Sequence, residues 1–263
     1  LTSISEKFQL LKKAKLVFKN WIIFPLSYYN FIQSDFIIFK TRTKKIIKLR
    51  RDSTDLMALT HVWLIEEYKR SNFEINSNDV VIDVGAHIGL FTLYASQYCN
   101  EGTIYSFEPV KENYKLLLEN IKLNNLNLVR SFNLAVSNSN DPIKLYLDND
   151  ESGHSMFSQS SNSIMIDSIS LQKVFDDNQI KHCNFLKLDC EGAEYEIIKN
   201  LPSEYFEKID KIIIEYHMAN SHPELLDELK EILVNQKFHI ETKPLFPDIG
   251  FLYAKKLDLI NNP

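Results

Sequence analysis

Apolar positions change their rhythm along this chain. Over residues 1–33 they recur at helical spacing, with Pro25 as the expected break. Two short runs follow, Phe36–Phe39 and Lys45–Leu49, around a basic turn, which predicts a β-hairpin. Thr54 is placed to cap a helix whose apolar positions are Leu56, Leu59, Val62, Trp63 and Tyr68. From Asp79 onward strand and helix patterns alternate. Val80–Val84, Phe185–Leu188 and Ile212–Tyr216 are continuous apolar runs of the kind a parallel sheet buries on both faces. Thr103–Phe107 and Leu128–Val136 are further strands, and Pro142–Asp148 and Ser163–Ile166 read as extra strands at the edge of a substrate region. Helices are predicted over Ile88–Ser96, Lys111–Leu123, Gly192–Asn200 and Pro223–Gln236, with one more opened by a Ser170 cap and running to Asp177. Strands Phe238–Thr242 and Gly250–Ala254 close the pattern. This order predicts a doubly wound α/β domain, an open sheet with helices on both faces, over residues 51–263. A helical and hairpin N-terminal extension, residues 1–50, precedes it.

Charge divides the chain in the same place. Residues 1–51 hold twelve Lys and Arg against Glu6 and Asp35, a local charge of +10, which leaves −15 of the total −5 for the rest. A basic segment of this kind is either a solvated lysine-rich face or a surface for anionic lipid, acidic glycan or nucleic acid. Leu16–Ile32 is apolar and aromatic but is interrupted by Lys19, Asn20, Pro25 and Ser27, too short and broken for a spanning helix. It also lacks the order of a signal peptide. Peripheral contact with a membrane surface through this part remains open. The three cysteines, Cys99, Cys183 and Cys190, show no CxxC spacing, so neither a disulfide framework nor a zinc site is indicated. That usage fits a reducing, cytoplasmic compartment.

The segment Asp83-Val-Gly85-Ala86-His87-Ile-Gly89 runs from an apolar strand through a tight turn into a helix. Gly85 allows close backbone approach to a ligand, Gly89 removes a side chain where the helix start meets the sheet, and the helix start offers free N–H groups. Glu108 closes the next strand 19 residues after Gly89, where a carboxylate can accept both hydroxyls of a ribose. Asp83 stands where a pyrophosphate-binding G-x-G-x-x-G loop has no acid, and its charge suits a cationic nucleoside ligand, S-adenosylmethionine.

Taken together these segments resemble the FkbM-type methyltransferases over roughly residues 50–217. Thr54-Asp55 looks like that family's opening segment. Asp83 to Gly89 and Phe107-Glu108-Pro109 look like its cofactor loop and ribose acid. Asn133-Leu-Ala135-Val-Ser137, Lys187-Leu-Asp189-Cys-Glu191-Gly-Ala-Glu194 and Glu215-Tyr-His217 match later strand ends. The resemblance implies a class I, Rossmann-like, mostly parallel seven-stranded sheet. It also implies S-adenosylmethionine as cofactor, bound through Asp83, Gly85, Ala86, His87, Gly89, Glu108, Asn133 and Ala135. One departure is Leu171-Gln172 where the family has Leu-Asp, which leaves that acid's role absent or taken by Asp167.

Methyl transfer to a hydroxyl needs in-line alignment and a group to take the proton. Asp189, Glu191, Glu215 and His217 are expected beyond the carboxyl ends of the central strands, with His217 as the preferred base because an unperturbed imidazole titrates near neutrality. Asp189 is placed to orient the acceptor, meet the methionine amino group or bind metal. Glu191 and Glu194 open a helix, where carboxylates are favoured in any case, and capping is the expected role of Glu194. Asp189, Glu215 and His217 also form a donor set for Mg²⁺ or Mn²⁺, although a metal is not the favoured reading. Asp55, His154 and Ser155 are candidate substrate contacts, the last two in a Ser-, Gly- and Asn-containing stretch, 152–163, read as a loop over the pocket. The expected reaction is O-methylation of a sugar, glycolipid or other small metabolite. Alternatives are a nicotinamide-dependent oxidoreductase and a non-catalytic glycan- or lipid-binding module. A nucleic-acid substrate is not expected, and the sequence sets no oligomeric state.

Overall fold

Seven of the predicted strands assemble into one sheet, in a computed structural model that describes residues 4–146 and 163–261. Its central strands are β3 (Val80–Val84), β4 (Thr103–Phe107), β5 (Val129–Phe132), β10 (Phe185–Leu188) and β11 (Lys211–Tyr216), all parallel. Two antiparallel strands, β12 (Phe238–Pro244) and β13 (Gly250–Lys256), complete the order β12-β13-β11-β10-β3-β4-β5. The continuous apolar runs have a simple cause: successive side chains point to opposite faces, and both faces are covered. Val81, Phe185 and Ile213 face one core, while Ile82, Leu186, Leu188, Ile212 and Ile214 face the other. Burying Phe185 or Leu188 contributes roughly 1.5–3 kcal/mol each.

The first core is closed by the N-terminal part. α1 (Ile4–Val17) and α2 (Ile23–Tyr28) precede the hairpin of β1 (Phe36–Lys40) and β2 (Ile46–Arg50). The break between the two helices falls at 18–22 and not at Pro25, because Phe18 bridges to Thr41. Pro25 sits in the first turn of α2, where its missing N–H has no helical partner to lose. Ile37, Phe39, Ile47 and Leu49 alternate inward into the same core as Val81 and Phe91. The outer edge of β2 is met by a helix, α5 (Lys111–Leu123), and the residue after it. The Asn120 amide accepts from Lys48 N at 2.8 Å and donates to Lys48 O at 3.0 Å, and Asn124 does the same for Ile46 at 2.7 and 2.6 Å. Two amides one turn apart thus stand in for a neighbouring strand.

α3 (Asp55–Leu59) follows the hairpin, and Thr54 does not cap it: its side chain makes no capping bond, and its buried hydroxyl has no hydrogen-bond partner among the described residues. Ser53 Oγ accepts from Asp55 N instead, at 3.2 Å. α3 continues into a π-helical turn, Thr60–Ile65, ended by Glu66 in the left-handed region. α4 (Leu90–Ala95) joins β3 to β4, and α6 (Leu171–Asp177) is capped by Ser170 as expected, accepting from Lys173 N.

The predicted strand Leu128–Val136 is two elements. β5 stays in the main sheet, but β6 (Ala135–Ser137) leaves it and pairs in parallel with β9 (Ser168–Ser170). β7 (Ile143–Tyr146) and β8 (Ser163–Ile166) form a separate antiparallel pair. The second core is covered by α6, α7 (Glu194–Lys199), α8 (Ser203–Phe206) and α9 (Pro223–Asn235), and α10 (Asp258–Asn261) ends the chain's regular structure. The three cysteines are unpaired. Among the described residues no helix is long and apolar enough to cross a membrane.

Candidate active site

A cleft of about 450 Å³ opens beyond the carboxyl ends of β3, β4, β10 and β11, where an open α/β sheet places its ligands. One half is built by the turn after β3. Gly85 N and Ala86 N both donate to Phe107 O, at 3.0 and 2.9 Å, folding the turn against the end of β4. Gly85 holds φ +73°, and a Cβ there would stand 1.7 Å from Asp189 O. Its small size therefore lets the turn approach the neighbouring strand end, and not only a ligand. Gly89 faces α5 and not the sheet: at φ +89°, a Cβ would meet Leu117 Cδ1 at 2.5 Å.

Glu108 is buried at the edge of this half and lines the cleft. Its carboxylate accepts from His87 N at 2.8 Å, Val110 N at 2.9 Å and Asn113 Nδ2 at 3.4 Å. Burial nonetheless pushes its pKa up to about 7, with those bonds opposing the rise. His87 has φ +51° and lines the cleft; burial lowers its pKa to about 4, so the ring is neutral at physiological pH. Its Nε2 lies 3.1 Å from Arg50 Nη2 and accepts from that always-protonated group, with Asp55 Oδ1 3.4 Å away.

Several expected contacts are internal instead. Asp55 is fully buried and does not line the cleft; it pairs with Arg50 through both oxygens, at 2.7 and 3.0 Å, because an ion lost to solvent must be matched by a counter-ion. Asp83 is also fully buried, 3.1 Å from Lys187 Nζ and 2.7 Å from Thr92 Oγ1, so its charge is matched inside the protein and not presented to a ligand. Asn133 holds the carbonyls of Glu108 and Pro109, at 2.9 Å each, without lining the cleft, whereas Ala86 and Ala135 do line it. Asp167 does not reach it. His154 and Ser155 lie outside the described residues, as does most of the stretch 152–163.

The other half gathers carboxylates. Asp189, Glu191, Glu215 and His217 all line it, as expected. Lys187, on the otherwise apolar β10, is the buried cation beneath them. Its ammonium donates to Gly85 O at 2.7 Å and lies 3.4 Å from Asp189 Oδ2. Burial opposes that charge, but Asp83, Asp189 and Glu215 hold its pKa above the usual lysine value. Tyr68 Oη is 3.4 Å from both Asp189 Oδ2 and Glu215 Oε2. Burial and then the Asp189 charge push the Glu215 carboxyl well above its ordinary range.

His217 departs from its expected role. Burial alone would lower its pKa, but Glu194 at 3.1 Å from Nδ1, with Glu191 at 3.4 Å from Nε2, raises it to about 10. An imidazolium at neutral pH has no lone pair with which to take a proton. Capping is the role expected of Glu194, but the N–H it accepts, from Gly192 at 2.8 Å, lies before the helix, and its other oxygen holds His217. Asp189, Glu215 and His217 also place three ligand-type atoms within 4.8 Å of one another. Sequence reasoning missed Lys187, Tyr68 and Glu67 as site residues. Glu67 is buried and pairs with His61 at 2.8 Å, and both line the cleft.

Residues 83–239 match the model of one protein family, the methyltransferase FkbM domain. Among curated proteins the chain is 24% identical over 157 residues to Methyltransferase 1 of Beauveria bassiana, covering 51% of this chain and 63% of that protein. It is 25% identical over 172 residues to methyltransferase sdnD of Sordaria araneosa, covering 53% and 66%. The match thus spans just under two thirds of each of these relatives. The hexuronic acid methyltransferase AglP of Haloferax volcanii is 24% identical over 183 residues, covering 70% and 73%. Among solved structures, methyltransferase FkbM from Methylobacillus flagellatus is 18% identical with a TM-score of 0.50, covering 76% of this chain and 53% of that one, a likeness of fold.

Proposed function

This chain belongs to the methyltransferase FkbM domain family, and from that premise we propose that it moves a methyl group from S-adenosylmethionine to a hydroxyl oxygen of a sugar, glycolipid or other small metabolite. Membership sets aside the nicotinamide-dependent oxidoreductase. The observation that carries the proposal is a single cleft with Glu108 at one end and the Asp189–Glu215 pair at the other.

The residues present fit the cofactor. Glu108, fixed by two backbone N–H groups, keeps lone pairs for the ribose hydroxyls. The turn Gly85–His87 supplies the wall beside it, and the surplus of carboxylates at the far end complements a ligand bearing positive charge. Bound there, S-adenosylmethionine supplies an electrophilic methyl carbon on a sulfonium. The protein's own task is to align the acceptor and hold its proton. Tyr68 has one hydroxyl hydrogen. Protonated Glu215 donates to Tyr68 Oη, Tyr68 donates to Asp189, and Lys187 stabilises the negative charge left on Asp189. Asp189, left ionised while Glu215 keeps the proton of the pair, is then the proton acceptor.

The acidic end argues that the part of the acceptor reaching it is an uncharged hydroxyl. The name of the AglP relative, a hexuronic acid methyltransferase, supports a sugar. Asp189, Glu215 and His217 are the residues that would hold a divalent cation, which would lower the acceptor's pKa, and His217 would then have to release Glu191.

The test is release of S-adenosylhomocysteine against a panel of hydroxylated sugars and glycolipids, with and without EDTA. The reading expects turnover with one acceptor class and its loss in Asp189→Asn, with binding of the uncharged S-adenosylhomocysteine kept. Absence of any binding heat with S-adenosylmethionine would favour a non-catalytic binding module.

A further inference from the structure

α1 has an ordinary inner face: Leu10 and Ala14 are buried and Val17 packs against the core. At 100° per residue, Phe8, Lys12, Lys15 and Leu16 fall on the opposite side. There Phe8 is 57% exposed and Leu16 73%. α2 and its flanking residues repeat the arrangement. Phe24 and Ser27 point inward, while Ile22, Leu26 and Tyr29, at i, i+4 and i+7, stand outward. Phe31, just beyond, is 70% exposed. Large apolar side chains set outward at these positions are not what a water-facing helix requires.

Lysines interleave with these rings. Lys12 Nζ lies 4.6 Å from the Phe8 ring centroid, Lys7 5.5 Å from Tyr28, and Lys15 5.9 Å from Trp21. The surrounding +10 charge over residues 1–51 makes this the basic part of an acidic protein. Nucleic acid would explain the lysines but not Leu16, Ile22 and Leu26. An apolar protein groove would explain the aliphatic stripe but not the charge. An anionic bilayer surface satisfies both, with rings and aliphatic side chains in the interface and ammonium groups on the headgroups.

We propose that the outer face of α1 and α2 docks the protein on an anionic lipid surface. The helices lie on the bilayer; none among the described residues is of a length and composition to span it. α1 packs on the turn Thr60–Ile65, and His61 and Val62 of that turn line the cleft. Docking therefore brings the cleft within one helix of the lipid.

The test is sedimentation of the whole chain with phosphatidylcholine vesicles containing about one-third phosphatidylserine, against phosphatidylcholine alone. Binding is expected to the anionic vesicles only, and to weaken as salt rises. Lys12→Glu with Lys15→Glu should weaken it more than about thirtyfold, and Leu16→Ser with Tyr29→Ser more than about tenfold. All four positions are exposed, so melting temperature and S-adenosylmethionine affinity should be unchanged, which separates failure here from failure of the methyl-transfer reading. Equal binding to both vesicle types, no binding to either, or charge-reversed variants that bind as tightly would overturn the proposal. Retention on heparin without vesicle binding would also overturn it, in favour of a soluble polyanion.

Discussion

The protonation state of Glu108 offers the sharpest test of the cofactor half. Its carboxylate sits out of water with only three donors, and burial raises its pKa to about 7. The ionised form accepts ribose hydroxyls through both oxygens; the protonated form gives up one acceptor site. Ligand binding should therefore lower this pKa and release a proton. For a free-state value near 7, affinity is full at pH 8, about twofold weaker at pH 7 and about tenfold weaker at pH 6. Calorimetry with S-adenosylhomocysteine in buffers of different ionisation enthalpy reads both quantities, and close to one proton should be released per ligand at pH 6. Glu108→Gln serves as the control for the ligand's own titration. Its amide sets a donor against the His87 or Val110 N–H, and loss of charge-assisted bonds should cost about 2 kcal/mol, roughly thirtyfold in affinity. The variant should also lose the pH dependence. An affinity constant within twofold from pH 6 to 8, or a Glu108→Gln protein that keeps the wild-type slope, would refute the assignment of Glu108 as ribose acceptor.

Other consequences can be checked with purified protein. Gly85→Ala forces a Cβ into Asp189 O at a left-handed φ, so it should lose more than about 2 kcal/mol in a denaturant melt and abolish cofactor binding. Lys187→Met leaves Asp83 buried without its counter-ion and should destabilise by about 3–5 kcal/mol, while adding Asp83→Asn should restore a large part of that loss; strictly additive effects would show the pair to be uncoupled. The His217 pKa is raised to about 10, so its stabilising proton is fully present below the unfolded value of about 6.5 and is lost as pH climbs toward 10. Wild-type melting temperature should therefore fall more steeply between pH 7 and 10 than that of His217→Gln, and parallel curves would contradict the His217–Glu194 pairing.

What was legible in the sequence follows from how each residue is used. Val80–Val84, Phe185–Leu188 and Ile212–Tyr216 announce themselves because a strand covered on both faces has no polar side to alternate. Glu108 was legible because its distance from Gly89 is set by one helix and one strand. The break at Asn133 was not: Leu128–Val136 is apolar enough for one strand, and only the Asn133 bonds to Glu108 and Pro109 and the distant partner β9 divide it. Asp55 and Asp83 misled for another reason. A carboxylate beside a motif looks the same whether it faces ligand or a buried cation, and the partner of Asp83 lies far along the chain. Tyr68 and Glu67 follow a π-helical turn and a left-handed residue, which shift the register that a 3.6-residue period assumes. The visible signal for Lys187 was a lone charge inside an apolar strand, which demands buried partners.

Those partners explain why the two halves of the cleft behave as one. Asp83 and Lys187 are opposed in the parallel register of β3 and β10. From that position the ammonium reaches past Asp83 to Gly85 O on the turn after β3 and to Asp189 beyond the end of β10. Gly85, in turn, is pressed against the Asp189 carbonyl. A side-chain contact and a backbone contact thus tie the same turn to the same acid, which fixes the separation between the Gly85 turn and Asp189. In-line transfer depends on that separation more than on the strength of either contact. The acids that look redundant in the sequence are therefore divided in function: Asp83, Asp55 and Glu194 hold buried cations in place, and Glu108, Asp189 and Glu215 face the cleft.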